Sequence, residues 1–296
     1  MLATLRTAAL YGVEACPVQV EVDVSFGMPM FTMVGLPDAS VRESRDRVRA
    51  AIKNSGFEFP PHRITVNLAP ADVRKAGSSF DLPIALGILV AQGVIKPETV
   101  TDMLVLGEVS LDGSIQATRG VLPVAAAARK WGVRRVLLPA ANAGEAAVVQ
   151  RTGILGVSSL IEAVAAVRDP AHVFVAPTAP PTTPITCADF ADVVGQPLGR
   201  RAIEIAAAGA HNLLLVGPPG SGKTMMARRM AGVLPPLSFD EAIESTTVHS
   251  VAGLLSPGLG LISQRPFRAP HHTISAAALA GGGSVPRPGA PSWTRP

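Results

Sequence analysis

Several residue types are scarce in this 296-residue sequence, and their scarcity narrows the class of protein. Its two cysteines, Cys16 and Cys187, lie far apart and match no metal-ligand spacing. We therefore expect a reduced, cytoplasmic protein without a cysteine-based metal site. Aromatic residues make up 4% of the chain, so rings that could stack on nucleic-acid bases are few.

Long hydrophobic runs are also missing. The longest apolar stretch, LPIALGILVAQGVI (residues 82–95), is shorter than the roughly 20 residues that a membrane span needs, and it predicts a buried helix. The N-terminus has no long apolar segment, so we expect no signal peptide. With 48% hydrophobic and 16% charged residues, the chain can bury a sizeable core. Its net charge of +4 permits an anionic partner without requiring one.

The first 168 residues alternate between strand-like and helix-like patterns. VQVEVDV (18–24) places its valines on one face, as in a half-buried strand, and RITVNL (63–68) predicts another strand. Residues 38–56 predict a helix that begins at a capping Asp38 and ends at Gly56. MLVLGEVSLDGSIQA (103–117) is typical of a hairpin that turns at Asp112-Gly113. These patterns predict an α/β domain of mixed order over residues 1–168.

The composition changes after residue 168. DPAHVFVAPTAPPTTPIT (169–186) holds five prolines and no helical period, which indicates an extended linker over residues 169–187. We expect a second domain over residues 188–296.

A phosphate-binding loop is the clearest chemical signal. GPPGSGKT (217–224) fits the pattern G-x-x-x-x-G-K-[ST], between an apolar run predicted as a strand, NLLLV, and a helical stretch that ends before Pro235. Backbone N–H groups would surround the phosphates of ATP, Lys223 would reach the β and γ phosphates, and the Thr224 hydroxyl would bind Mg²⁺. The predicted loop residues are Gly217, Pro218, Pro219, Gly220, Ser221, Gly222, Lys223, Thr224 and Met225.

The acidic partner of such a loop is not evident in the sequence. ATP hydrolysis needs a carboxylate at the end of a buried strand to help hold Mg²⁺. The acidic pair downstream of the loop, Asp240-Glu241, follows PPLSF, which cannot form a buried strand, so the pair is predicted to begin a surface helix.

These motifs resemble those of the magnesium-chelatase-like AAA+ ATPases of the ComM (YifB) type over residues 1–289. ADVVGQPLGRRAIEIAAAGAHNLLLVGPPGSGKT (191–224) is similar to the start of that family's ATPase module, and RPFRAPHHTISAAALAGGGSVPRPG (265–289) resembles a later part. The resemblance implies that Val194, Gly195 and Gln196 lie near the adenine. It also implies a homo-oligomeric ring that uses ATP to move on single-stranded or branched DNA during recombination and transformation.

The resemblance ends near Gly289. The family continues with an acidic strand, sensor residues, an arginine finger and a helical lid, whereas this chain reads GAPSWTRP. We therefore expect an incomplete P-loop NTPase (AAA+) domain, in a truncated chain that binds ATP without hydrolysing it.

The N-terminal domain resembles the Lon-protease-like fold of the ribosomal S5 domain 2 type. RKAGSSFDLPIAL (74–86) is similar to the Lon segment that carries the nucleophilic serine, which places Ser79 at that position. Leu122 stands where Lon has its lysine base. Leucine cannot accept a proton, so we expect no peptidase activity and predict that Ser79 caps a helix.

Two further patterns have competing interpretations. Arg42, Arg45 and Arg49 share one helix face with Glu43 and Asp46 interleaved, so they are either DNA-phosphate contacts or a solvated surface, and no aromatic ladder accompanies them. His271-His272 has no third metal ligand at useful spacing and is interpreted as structural, or as a loop near the nucleotide or DNA.

Two other functions remain open at this point. One is a subunit of a metal-inserting chelatase, and the other is a non-catalytic interaction domain over residues 1–168 with a damaged appendage.

Overall fold

A computed structural model of the chain describes residues 1–149, 152–169, 188–255, 260–271, 273–282 and 287–289. The predicted linker over 169–187 lies outside the described residues, apart from Asp169. The helices are α1 (Ala39–Asn54), α2 (Asp81–Ala91), α3 (Val121–Lys130), α4 (Ala143–Ala146), α5 (Leu160–Arg168), α6 (Pro197–Gly209), α7 (Lys223–Val233), α8 (Phe239–Ala252) and α9 (Ala276–Ala280).

A mixed sheet organises the first 168 residues. Its strands, in spatial order, are β3 (Met30–Val34), β4 (Arg63–Ala69), β2 (Glu14–Ser25), β1 (Leu2–Tyr11), β5 (Met103–Val105), β8 (Arg135–Pro139) and β9 (Gly153–Val157). β2 pairs antiparallel with β1 and β4, and the other neighbours are parallel. Two short antiparallel pairs lie outside this sheet: β6 (Glu108–Val109) with β7 (Ile115–Gln116), and β10 (Gly281–Gly282) with β11 (Arg287–Pro288).

Alternation along the strands divides the core into two layers. In β5, Met103 and Val105 belong to the hydrophobic cluster that contains α1, α2 and α5, whereas Leu104 belongs to the cluster that contains α3 and α4. The same period places Val18, Val20 and Val22 of β2 in the core. The mixed α/β fold predicted for this part of the chain therefore follows from the period-two pattern of its strands.

Helix α2 is apolar on every side, and all eleven of its residues are buried. It packs against β2 at Gly87, where a Cβ atom would lie 2.6 Å from the Val22 Cγ2 atom, so only glycine allows this approach. The predicted buried helix at this position is confirmed.

Other local predictions are also confirmed. The Asp38 carboxylate accepts a hydrogen bond from the Val41 N–H at 2.9 Å and caps α1. The hairpin is confirmed between β6 and β7, where Gly113 has φ 86°. The rest of its predicted range differs, because β5 pairs with β1 and β8 in the large sheet.

The expectation that α8 is a surface helix is wrong for one of its faces. Ala242, Ser245, Thr246 and Ser250 are buried, and α8 packs against α3. The N–H of Gly120, at the start of α3, donates to the Ser250 carbonyl at 3.2 Å. A local sequence pattern could not identify this contact because it joins segments about 130 residues apart.

Candidate nucleotide-binding site

The loop Gly217–Gly222 connects an extended segment to helix α7. The prediction of a strand at NLLLV (212–216) is wrong for the described residues, because no other described segment pairs with it. Its side chains still alternate: Leu213 and Leu215 pack on a small apolar cluster, whereas Leu214 and Val216 are more than 80% exposed. Its exposure therefore alternates as in a strand, but no described neighbouring strand completes a ladder.

Glycines give the loop its curvature. Gly220 and Gly222 both have φ 81°, a conformation that side-chain-bearing residues rarely adopt, and Gly222 directly precedes α7. A Cβ atom at Gly220 would meet no atom within 4 Å, so there is open space beside the loop. The free N–H groups at the start of α7 and the helix dipole favour an anion there. The loop therefore fits a phosphate group.

Lys223 directs its ammonium group back into the loop. Its Nζ atom donates to the carbonyl oxygens of Gly217 at 2.8 Å and Pro218 at 2.7 Å, and to the Ser221 Oγ at 3.2 Å. These oxygens hold the positive charge at the concave side of the loop. Phosphate oxygens could replace them with stronger, charge-assisted hydrogen bonds.

The segment Val194–Gln196 is tied to the loop through one side chain. Gln196 Nε2 donates to the Ser221 carbonyl at 2.8 Å. Gln196 itself has φ 55°, which ends the preceding segment and lets α6 begin at Pro197. Val194 is 91% exposed and Gly195 has φ 74°, so an apolar side chain stands open to solvent in the segment linked to the loop.

A small apolar cluster packs the elements on either side of the loop together. Val193, Ile203 and Met226 are its buried members, from the segment before α6, from α6 and from α7. Arg229 of α7 donates to the Asp189 carbonyl at 2.9 Å and contacts the Asp192 carboxylate at 3.4 Å. A local sequence pattern could not identify these contacts of Arg229, because its partners lie about 40 residues earlier in the chain.

Magnesium ligands are incomplete in the described part of the chain. Thr224 is exposed in the first turn of α7, followed by the partly exposed Met225, and its hydroxyl could reach a metal ion beside the loop. The residues that the structure describes contain no group of three or more metal-ligating side chains. Among the described residues, the loop therefore fits a phosphate group, and Thr224 is the one candidate metal ligand beside it.

Of the downstream acidic pair, Glu241 is engaged away from the loop. Asp240 and Glu241 lie in the first turn of α8, as predicted. Glu241 accepts from the Ser238 N–H at 2.7 Å while its own N–H donates to the Ser238 Oγ, which is a capping box, and Arg265 pairs with the same carboxylate at 3.2 Å. The Ser238 N–H, and then Arg265, lower the pKa of Glu241.

The Lon-like positions show one wrong prediction. Ser79 does not cap α2, since Phe80 precedes that helix and forms no side-chain capping bond. Leu122 is fully buried among apolar side chains of α3 and α4. His271 Nδ1 lies 2.7 Å from the Thr273 hydroxyl, whereas His272 is outside the described residues.

The arginines of α1 are divided between core and surface. Arg47 points inward and forms an ion pair with the fully buried Asp81 at 2.7 Å. Arg45 pairs with Asp46 at the surface at 3.1 Å, and the Arg49 guanidinium lies 5.8 Å from the centre of the Phe59 ring. Arg45 and Arg49 therefore lie at the surface, while Arg47 is structural.

Together, the mixed sheet and the glycine loop at the start of a helix define an α/β protein with a phosphate-binding type of loop. Two models, described as "Subunit ChlI of Mg-chelatase" and "Magnesium chelatase, subunit ChlI", match residues 20–142 and 189–295. The protein Rv2897c of Mycobacterium tuberculosis is 47% identical over 287 residues. YifB of Escherichia coli is 43% identical over 291 residues, and the competence protein ComM of Haemophilus influenzae is 41% identical over 295 residues.

The chain belongs to the ComM/YifB family of magnesium chelatase-like proteins. The alignments with these relatives cover 97% of this chain and 56–57% of theirs, so it spans little more than half of their length. None of the helices in the described residues is long and apolar enough to cross a membrane.

Proposed function

We propose that this chain binds ATP through the Gly217–Thr224 loop, as a ComM-type AAA+ protein that acts in DNA processing. The observation that carries this proposal is the position of Lys223, whose ammonium lies at the concave side of a glycine turn at the start of α7. The N–H groups at a helix N-terminus and a lysine directed into the turn both attract anions, which favours phosphate binding at this position.

ATP would be held by the chain's own groups. The backbone N–H groups of the loop would surround the β phosphate, Lys223 would neutralise the terminal phosphates, and Thr224 would contribute its hydroxyl to Mg²⁺. The segment Val194–Gln196 would lie against the base, since Gln196 connects it to the loop. Bound Mg²⁺ would supply charge neutralisation between the phosphates.

We propose that the chain retains ATP without sustained hydrolysis when it acts alone. The described residues provide Thr224 but no cluster of acidic ligands beside the loop. Glu241 is held by its capping box and by Arg265. Without a further carboxylate, the magnesium shell and the attacking water are not positioned.

The experiment is a titration of the purified chain with a fluorescent ATP analogue, followed by measurement of phosphate release with and without single-stranded or branched DNA. Lys223→Ala should weaken analogue binding about 10- to 100-fold, because bonds to charged groups are lost. The matched control is Arg228→Gln, an exposed cation on the same helix, which should bind like the wild type. Failure of the wild type to retain the analogue would refute the binding proposal. Sustained phosphate release that Lys223→Ala abolishes would refute the loss of hydrolysis.

The DNA role rests on family resemblance, including the relative named a competence protein. The experiment that tests this role measures whether the chain, in the presence of ATP, binds branched DNA and moves its branch point. The expected result for this chain is DNA binding without branch migration, since migration requires turnover.

Metal insertion is the second candidate function, favoured by the names of the two matching family models. The first model covers residues 20–142, so the N-terminal half does not argue against a chelatase subunit. Stimulation of magnesium insertion into a porphyrin by added chain would support this candidate over DNA processing.

For residues 1–168 we propose a non-catalytic Lon-like domain. The apolar Leu122 stands where a base would be needed, and its side chain is fully buried. A non-catalytic domain would act by binding a partner, and residues on its surface would form the binding site.

A further inference from the structure

The N-terminal half carries a cleft that the nucleotide site does not use. It has a volume of about 650 Å³ and lies between α1, the start of β3 and the segment that leads into β4. Three cations from one face of α1 line it: Arg45, Arg49 and Lys53. They follow one another every four residues, which is about 6 Å along a helix. Asp46 is the carboxylate in the lining, so cations predominate.

Planar rings accompany this row of cations. Phe31, Phe59 and His62 line the same cleft. The Arg49 guanidinium lies 5.8 Å from the centre of the Phe59 ring, which is a cation–π contact. These rings are not adjacent to the arginines in the sequence, because they come from β3 and from the segment before β4. The fold brings them together.

Exposed apolar side chains lie beside the residues that line the cleft. Phe26 is 95% exposed, and its ring centre lies 5.1 Å from that of His62 at an angle of 47°. Met28, two residues later, is 88% exposed. Met30, which lines the cleft, is also 57% exposed. A group of exposed apolar side chains, unlike a single one, indicates a partner surface.

We propose that this cleft binds a single-stranded nucleic acid, with phosphates along Arg45, Arg49 and Lys53 and bases stacked on Phe26 and His62. This proposal rests on the DNA role proposed above and assigns it a site. A row of cations that follows the backbone beside rings that accept bases is the arrangement of non-specific single-strand binders. Bases in a duplex are already stacked on each other, so the exposed rings favour single strands.

The charge and the rings together select this partner over an acidic peptide. A peptide would use the cations but would leave the Phe26–His62 platform without a planar partner. The two occupants therefore differ in their dependence on Phe26, and this difference decides the experiment.

The experiment measures the fluorescence anisotropy of labelled oligo(dT) with the full chain, without nucleotide and at several salt concentrations. The wild type should bind the single strand more tightly than a duplex. Phe26→Ala should weaken binding about 5- to 100-fold, as expected for one lost stacking contact, and Phe26→Tyr should retain it. Since Phe26 is almost fully exposed, neither change should affect folding.

Arg49→Gln should weaken binding and reduce the slope of log affinity against log salt by about 0.7. Lys130→Gln, an exposed cation of α3 on the other side of the sheet, is the matched control and should bind like the wild type. Unchanged binding by Phe26→Ala and Arg49→Gln would overturn the proposal. Equal competition by polyglutamate would also overturn it, in favour of an acidic peptide.

A last comparison separates this site from the nucleotide site. Lys223→Ala should lose the ATP analogue and keep oligo(dT) binding, whereas Phe26→Ala should do the reverse. If oligo(dT) binding disappears only with Lys223→Ala, the strand binds in the ATPase half and the cleft proposal fails. If the analogue never binds but the cleft variants behave as stated, the ATP proposal fails alone.

Discussion

At the scale of single residues, Asp81 joins three elements of the N-terminal half. Its carboxylate is fully buried at the start of α2, pairs with Arg47 of α1, and accepts from the Ser44 hydroxyl and the Val109 N–H. The hydrogen bond to Asp81 raises the pKa of Arg47, so the guanidinium stays charged at all accessible pH values. Asp81 therefore holds α1 and the hairpin against α2.

We expect Asp81→Ala to lower the free energy of unfolding by about 3 kcal/mol, because it leaves a largely buried guanidinium without its counter-ion. Urea unfolding followed by circular dichroism measures the change. The matched control is Asp46→Ala, which removes a carboxylate from an exposed arginine pair on the same helix. It should have no measurable effect, since exposed pairs contribute little. Equal effects of the two substitutions would contradict the structural role of Asp81.

At the scale of elements, α8 begins at a capping box that depends on one carboxylate. The Ser238 N–H and Arg265 lower the pKa of Glu241 below its ordinary value of 4.5. A lowered folded-state pKa means that the ionised group stabilises the native state above the unfolded pKa. This contribution disappears as the pH falls through the folded pKa.

Glu241→Gln isolates this effect, because glutamine keeps the hydrogen bonds of a capping box without the charge. Wild type should be more stable than Glu241→Gln at neutral pH; the difference should begin to shrink as the pH falls below the ordinary glutamate pKa of 4.5 and should disappear below the lowered folded-state pKa. Thermal unfolding of both proteins across that pH range measures it. A difference that stays constant with pH would show that the charge of Glu241 contributes nothing.

Some elements of the fold could be predicted from the sequence, and others could not. The cap at Asp38, the apolar helix α2 and the strands of β2 and β4 were predictable, because each depends on residues close together in the chain. The strand at 212–216 was not, since pairing depends on neighbouring strands rather than on its own apolar pattern. The clustering of Phe31, Phe59 and Arg49 around one cleft could not be predicted either, because these residues are far apart in the sequence and meet only in the folded chain.

At the scale of the whole molecule, the two halves meet where α8 packs on α3. Glu145 is the centre of this contact: its carboxylate is buried and accepts from the Leu122 N–H at 2.9 Å, from Asn142 at 3.2 Å and from the Ser250 hydroxyl. The first two donors belong to the N-terminal half and Ser250 belongs to α8. Glu145 and Ser250 are 105 residues apart, which no local pattern could relate.

A pair of serine substitutions on α8 tests whether this contact joins the halves. Ser250→Ala removes one donor from the buried Glu145 carboxylate and should cost about 1–2 kcal/mol of unfolding free energy, with faster hydrogen exchange in α8 and at the start of α3. Ser245→Ala is the matched control: its hydroxyl is equally buried but has no hydrogen-bond partner among the described residues, so its removal should be neutral or slightly stabilising. The opposite order would mean that α8 is held by apolar packing alone. The expected order would mean that the buried Glu145 carboxylate helps to join the half that carries the glycine loop to the half that carries the proposed strand-binding cleft.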